Sequence, residues 1–175
     1  MGKQYYHFII RHGPIHHNES INFNKYLKII TKQILYIKNF LNVNALNQEN
    51  IIIHSSPIKR CYTTAKFILT YLNVIFENLN IKIKIDKNLT RVDDKNGETL
   101  EKCHNRAKLY GHEIYNNYKH DKNINIFITH SSILKSLISG ISNQTIKNDK
   151  LFTSSLSIIN ANTRKLIIYN KSFFD

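Results

Sequence analysis

The sequence predicts an α/β protein: a three-layer α/β/α sandwich with a mostly parallel mixed sheet that ends in an antiparallel hairpin. Three observations support this fold class. Apolar segments of strand length alternate with segments of helical periodicity through most of the chain. Residues 5–10, 51–54 and 124–129 are apolar on both faces, which is typical of strands covered by helices on both sides. Residues 156–159 and 165–169 flank a short Asn-rich turn and predict the closing hairpin.

The first half of the chain supplies two helices between its strands. Residues 25–41 repeat apolar side chains at helical spacing. Ser56 and Pro57 predict the start of a helix that runs to about residue 72, with the hydroxyl as the cap and proline in the first turn.

The next strand, residues 81–86, alternates isoleucine with lysine. We therefore expect a half-exposed strand near an edge of the sheet, with Ile81, Ile83 and Ile85 facing inward. A loop leads to Asn96-Gly97 and to a helix that ends near residue 118. The pair Ser131-Ser132 predicts the cap of the helix after residues 124–129.

The composition predicts one folded domain over residues 1–175. Hydrophobic residues make up 42% of the chain, which excludes a disordered polymer. No apolar run approaches the roughly 20 residues that span a bilayer, and the first ten residues lack a secretory cleavage site. Cys61 and Cys103 form neither a disulfide framework nor a paired metal motif. We expect a reduced, cytoplasmic compartment and no membrane partner.

The net charge of +13 permits an anionic partner but does not identify one. The lysines are scattered instead of clustered, and the chain is rich in Ile, Lys, Asn and Tyr, as AT-biased coding would produce. The hypothesis of a nucleic-acid-binding module is therefore supported by the net charge alone. We expect no nucleic-acid partner, and the sequence leaves the oligomeric state open.

Basic side chains follow three of the predicted strands at the point where each strand ends. Arg11 and His12 follow the first strand, Arg60 lies in the first turn of the helix after the second, and His130 follows residues 124–129. The carboxyl ends of parallel strands share one edge of a sheet, so we expect these four side chains to meet there.

Two helix N-termini, near Ser56 and Ser131, should point at the same place. Guanidiniums, imidazoles and helix dipoles around one point favour a compact, multiply charged anion, for which a phosphoryl group is the natural candidate. His104, His112 and His120 lie along the long helix without i, i+4 pairing, so we expect no metal site.

Three segments of the chain resemble the histidine phosphatase superfamily, also called phosphoglycerate-mutase-like. Residues 11–13 (RHG) with Asn18 resemble the motif RHG-x4-N, and residues 55–65 (SSPIKRCYTTA) resemble SSPLxRAxxTA. Residues 126–138 (IFITHSSILKSLI) are similar to the motif of the second histidine. The three segments follow one another along the chain in the same order as in the family, and the chain length is typical of the family's short phosphatase branch.

The resemblance implies a role for each of these residues. His12 would be the nucleophile and would form a phosphohistidine. Arg11, Arg60 and a protonated His130 would hold the phosphoryl oxygens, and Asn18 and the Ser131 amide would assist. The resemblance implies neither a metal nor another cofactor.

The proton-donating acid of many family members is not evident in this chain. Arg91 occupies the position nearest to it, and the local acids are Asp93, Asp94 and Glu98. Glu98 is the first candidate, although a carboxylate near the start of a helix is favoured by the dipole in any case.

We expect a metal-independent phosphatase that hydrolyses phosphomonoesters of a small molecule or a phosphoprotein. Hydrolysis is favoured over mutase chemistry, since the chain has little material for the insertions that cover a sugar phosphate. Two alternatives stay open: a protein phosphohistidine phosphatase, and a pseudo-enzyme that binds phosphate without turnover.

Overall fold

The structure, a computed structural model, describes residues 4–13, 23–43, 50–76, 79–92, 96–146 and 150–173. The described residues form six strands, four α-helices and one short 3₁₀ turn at Lys87–Leu89. In chain order these are β1 (Tyr6–Arg11), α1 (Phe23–Val43), β2 (Asn50–Ser55), α2 (Lys59–Ile75), β3 (Asn80–Ile85), α3 (Leu100–Tyr118), β4 (Ile124–Thr129), α4 (Ser131–Ser142), β5 (Leu156–Asn160) and β6 (Leu166–Lys171).

The sheet has the order β3-β2-β4-β1-β5-β6. The pairs β2–β3, β2–β4 and β1–β4 are parallel, whereas β1–β5 and β5–β6 are antiparallel. This mixed topology with its closing hairpin confirms the predicted fold class. The parallel strands β1, β2 and β4 lie side by side, so their carboxyl ends form one continuous edge.

Helices cover both faces of the sheet because successive strand residues point to opposite sides. Phe8 of β1 packs with α1 and α2 on one face, while the adjacent Ile9 packs with α3 and α4 on the other, and both are fully buried. On the second face α3 and α4 pack closely through Gly111 and Gly140, where an added Cβ would meet backbone atoms of the facing helix at 2.1 to 3.0 Å.

The lysine-bearing strand β3 lies at the edge of the sheet, as its alternating pattern predicted. Ile81 and Ile83 are partly buried against the core, but the prediction for Ile85 is wrong. Its side chain is 48% exposed, because an edge strand lacks a neighbour on one side and α2 does not cover its last residue.

Two predicted helix caps are also wrong. The helix after β2 begins at Lys59, with Ile58 as an extended N-cap. Ser56 is still bound to β4 through its amide, which donates to the carbonyl of Ile128, and its hydroxyl lies against His130. The helix after β4 begins at Ser131, with His130 as its extended N-cap, so no seryl hydroxyl caps it. No helix among the described residues combines the length and apolar character that crossing a membrane requires.

Candidate active site

Four basic side chains lie together at the carboxyl edge of the parallel strands. His12 follows β1 and His130 follows the adjacent β4, and their ring centroids are 5.1 Å apart. The guanidinium of Arg60, in the first turn of α2, donates from Nε to Nδ1 of His130 at 3.2 Å. Arg11 ends β1. Burial is the main cause that lowers the pKa of Arg11, and the positive charge of the nearby Arg60 is the second. The structure therefore gathers the cationic residues that the sequence placed at one edge.

His12 is held by backbone hydrogen bonds and by its own ring. Its N–H donates to the carbonyl of Thr129 at 3.0 Å, and its side chain is only 7% exposed. Nδ1 lies 2.7 Å from the carbonyl oxygen of Gly13. A carbonyl can only accept, so Nδ1 carries the proton and the lone pair resides on Nε2. A neutral imidazole with this tautomer is a competent nucleophile near pH 7.

A hydroxyl network ties the loop after β1 to α2. Thr64 donates from Oγ1 to the carbonyl of Arg60 at 2.8 Å, and it accepts from the Gly13 amide at 3.3 Å and from the Tyr26 hydroxyl at 2.6 Å. The Tyr26 ring lies so close to Gly13 that no side chain would fit there, since a Cβ would lie 1.8 Å from Cε2 of Tyr26. The glycine of the RHG segment thus lets α1 pack directly beneath His12.

His130 is buried against α2 and the residues that precede this helix. Because Arg60 donates to Nδ1, the proton lies on Nε2, which is 3.0 Å from Oγ of Ser56 and 3.3 Å from Sγ of Cys61. Burial is the largest cause that lowers the pKa of His130, to about 3, and the neighbouring His12 ring and the guanidiniums of Arg60, Arg91 and Arg11 lower it further.

The guanidinium of Arg11 supports a site for an anion. Nη1 donates to the carbonyl of Leu151 at 2.7 Å, while Nε is buried and makes no hydrogen bond to any described residue. A buried donor without an acceptor costs about 1–3 kcal/mol. An oxyanion bound between the arginines would satisfy it.

The two predicted substrate-binding residues differ in what the structure shows. Ser131 is exposed and begins α4 directly after His130, so its amide lies at a helix N-terminus beside the basic cluster. Asn18 lies outside the described residues, as do Asp93 and Asp94.

Glu98 forms a bidentate ion pair with Arg106. Oε1 lies 2.7 Å from Nε of Arg106 and Oε2 lies 3.1 Å from Nη2. The same guanidinium donates to the carbonyls of Asn88 and Thr90, so the pair holds the loop after β3. A carboxylate kept ionised by a guanidinium is a poor proton donor.

Sequence reasoning missed three residues that support the two histidines. Ser56 and Cys61 contact the His130 ring, and Thr64 links α2 to the loop after His12. Thr64 is four residues after Arg60 and therefore lies on the same face of α2, a spacing that could have been recognised. Among the described residues, no three His, Cys, Asp or Glu side chains are grouped closely enough to hold a metal ion.

No protein-family model matches the sequence, and no curated protein matches it. Solved structures do match. The phosphoglycerate mutase of Bacillus anthracis is 14% identical with a TM-score of 0.58, over 97% of this chain and 93% of that one. The phosphoglycerate mutase of Plasmodium falciparum is 15% identical with a TM-score of 0.54, over 89% and 90%.

An Agrobacterium tumefaciens protein assigned as the phosphohistidine phosphatase SixA is 12% identical, with a TM-score of 0.51 over 94% of this chain and 96% of that one. The chain shares its fold with these phosphoglycerate mutases and with this SixA protein. This confirms the fold that the three motifs implied. At such identities the likeness concerns the fold, so the activity has to be argued from the site.

Proposed function

We propose that this protein is a metal-independent phosphatase that hydrolyses phosphomonoesters through a phosphohistidine intermediate on His12. The observation that carries the proposal is the tautomer of His12. Its Nε2 lone pair is set by the Gly13 carbonyl, and its ring lies 5.1 Å from the His130 ring within a group of cations. Phosphoryl transfer asks a protein mainly for positioning and for stabilisation of charge, and this arrangement supplies both.

In the first step Nε2 of His12 attacks phosphorus, and the bond to the leaving oxygen breaks with its electron pair on that oxygen. In the second step a water molecule attacks the phosphohistidine, and the N–P electron pair returns to Nε2. Arg11 and Arg60 would bind the phosphoryl oxygens throughout, with the Ser131 amide and Asn18 assisting. The guanidiniums supply positive charge at the positions where a metal-dependent enzyme uses a cation.

His130 would change its protonation state when substrate binds. A phosphoryl dianion favours the imidazolium, whereas the unliganded site, surrounded by cations, favours the neutral ring. The pKa of His130 therefore rises on binding, and the protonated ring stabilises the transferring group.

The identity of the proton donor decides which leaving groups are cleaved quickly. General-acid help is worth about 10²–10⁴ in rate. With Glu98 paired to Arg106 we assign no acid, so aryl phosphates should be better substrates than alkyl phosphates. Phosphohistidine also has a good leaving group. This favours a second candidate, a protein phosphohistidine phosphatase, which the match to a protein assigned to that activity also supports.

Covalent labelling tests the proposal. The protein is pulsed with ³²P-labelled phenyl phosphate and quenched, and the bound label should be acid-labile and base-stable. It should disappear in His12→Ala and persist in the control His120→Ala, which changes an exposed histidine. Full activity of His12→Ala would refute the mechanism. Binding of sulfate or vanadate without hydrolysis of any aryl, alkyl or phosphohistidine substrate would identify a pseudo-enzyme.

A further inference from the structure

The loop after β3 places Arg91 beside the basic cluster. Oγ1 of Thr129 donates to the carbonyl of Leu89 at 2.8 Å, and both residues are fully buried. Thr129 is the residue before His130, so this bond fixes the loop next to the second histidine. Arg91 follows Leu89 by two positions, and its side chain is exposed at the rim.

Arg106, paired with Glu98, also binds the backbone of this loop. Arg106 donates from Nη1 to the carbonyl of Asn88 at 2.8 Å and from Nη2 to that of Thr90 at 3.2 Å. The backbone is therefore held on both sides of Leu89, directly before Arg91. A guanidinium thus replaces the acid that the family resemblance leads one to expect at this position, and Glu98, the first candidate for that acid, serves to hold the loop.

Arg91 lies within electrostatic range of the groups that would bind the phosphoryl oxygens. The pKa of Arg60 is lowered mainly by burial and next by the positive charge of Arg91. The charge of Arg91 also contributes to the lowered pKa of His130. An exposed guanidinium beside the site adds a second position for anionic oxygens, on the side where the resemblance places the leaving group.

Resting on the phosphatase function above, we propose a further activity: the site hydrolyses phosphoanhydrides, and Arg91 binds the departing phosphate. Nε2 of His12 attacks the terminal phosphorus, and the bond to the bridging oxygen breaks. The electron pair remains on that oxygen, which leaves as part of a phosphate anion and needs no proton. Water then cleaves the phosphohistidine to give neutral His12 and dihydrogen phosphate.

The leaving group explains why an arginine suits this position. An alkoxide is a strong base and needs a proton as it departs, which an arginine cannot supply because it stays charged. A phosphate anion is a far weaker base, with a second pKa of about 6 in phosphate monoesters. Its charge, instead of its basicity, is what the protein must stabilise, and a planar guanidinium fork matches its oxygens.

Two substrates and three variants test the proposal. Inorganic pyrophosphate carries a second, charged phosphate beside the scissile bond, whereas the phenyl group of phenyl phosphate carries no charge until it leaves as phenolate. We expect the protein to hydrolyse both. Arg91→Gln should lower kcat/KM for pyrophosphate by about 10-fold or more and for phenyl phosphate by less than about threefold. Arg91→Lys should recover part of the loss. Lys87→Gln, which removes an exposed charge from the same loop, should behave as the unmodified protein.

Binding of the non-hydrolysable methylenediphosphonate and phenylphosphonate, measured by calorimetry, should show the same selective loss in Arg91→Gln. Hydrolysis of phenyl phosphate but not of pyrophosphate would overturn the anhydride activity and leave the phosphatase function intact. Equal losses for both substrates, or none, would overturn the role of Arg91. A protein that hydrolyses neither substrate contradicts the phosphatase function itself, and the diphosphonate affinity then still decides whether Arg91 binds a second phosphate.

Discussion

The rings of His12 and His130 lie 5.1 Å apart at an angle of 60°, and they carry opposite tautomers. The Gly13 carbonyl holds the proton of His12 on Nδ1, which leaves the lone pair on Nε2. The Arg60 guanidinium donates to Nδ1 of His130, which leaves the proton on Nε2. The pair therefore contains one nucleophile, His12, and one hydrogen-bond donor, His130. Both roles follow from the hydrogen bonds of neutral rings and do not require His130 to be protonated beforehand.

Sulfate binding should protonate His130. The pKa of His130 is lowered to about 3 in the unliganded protein, so the ring is neutral near pH 6. A bound dianion favours the imidazolium, so the pKa rises and Nδ1 gains a proton, which requires Arg60 to release it. Nitrogen NMR of the His130 ring should show this change on titration with sulfate, and chloride at equal ionic strength should have no effect. An unchanged tautomer at saturating sulfate would contradict the proposal.

Glu98→Gln should act through the loop and not through proton donation. We expect Glu98→Gln to lower kcat/KM by the same factor for aryl and alkyl phosphates, because it breaks the ion pair that holds the loop. Arg106→Gln should lower it at least as much, again equally for both substrates, because that guanidinium also binds the carbonyls of Asn88 and Thr90. The measurement is kcat/KM for phenyl phosphate and for an alkyl phosphate in both variants. If Glu98 were the acid, Glu98→Gln alone would lose about 10²–10⁴ on the alkyl substrate, with little change on the aryl one.

The fold and the location of the site could be predicted from the sequence because both depend on short-range patterns. Buried strands alternate with amphipathic helices, and Arg11, His12 and His130 directly follow or end such strands. Once the strands are parallel, chain topology alone brings these positions to one edge. The three motifs added the chemistry expected at that edge.

The details of the site could not be predicted because they depend on contacts between distant residues. The sequence predicts Ser56 as a helix cap, yet its hydroxyl lies against His130, 74 residues away. Arg106, the partner of Glu98, is eight residues further along the chain. This spacing does not indicate a contact, because Glu98 lies in the loop and Arg106 in the helix that follows. The lowered pKa of His130 follows from its burial and from four neighbouring basic side chains whose positions only the fold defines.

Gly140→Ala should destabilise the protein by separating α3 from α4. A Cβ on Gly140 would lie 2.1 Å from the carbonyl oxygen of Lys108 and 2.9 Å from Cα of Gly111, and neither backbone atom can move alone. We expect a loss of about 1–3 kcal/mol or more in the free energy of unfolding, measured with urea. Ser136→Ala, on the same helix, should change it by less than about 0.5 kcal/mol. An equally small effect of Gly140→Ala would show that the helices do not approach this closely.

A second pair of buried histidines lies away from the candidate site, on the face covered by α3 and α4. His54 stacks on Phe127 with centroids 4.6 Å apart and shares a hydrogen bond of 2.8 Å with Asn125. His7 is fully enclosed, and neither of its ring nitrogens has a hydrogen-bond partner among the described residues. Burial lowers the pKa of His7 to about 3, and the charge of His54 adds to this while Asp121 opposes it.

Stability should therefore fall on mild acidification, and His7→Leu should reduce that fall. The unfolded state takes up the His7 proton near pH 6.5, whereas the folded state resists it down to about 3, so stability present above pH 6.5 is lost as the pH falls through that window. Each pH unit is worth up to about 1.4 kcal/mol per histidine. Urea unfolding at about pH 7.5 and about pH 5 should show that the free energy of unfolding falls by about 2 kcal/mol less in His7→Leu than in the unmodified protein.

The control is His120→Asn, at an exposed position, which should follow the unmodified protein. Parallel pH profiles for His7→Leu and the unmodified protein would mean that His7 exchanges its proton in the folded state as readily as in the unfolded one.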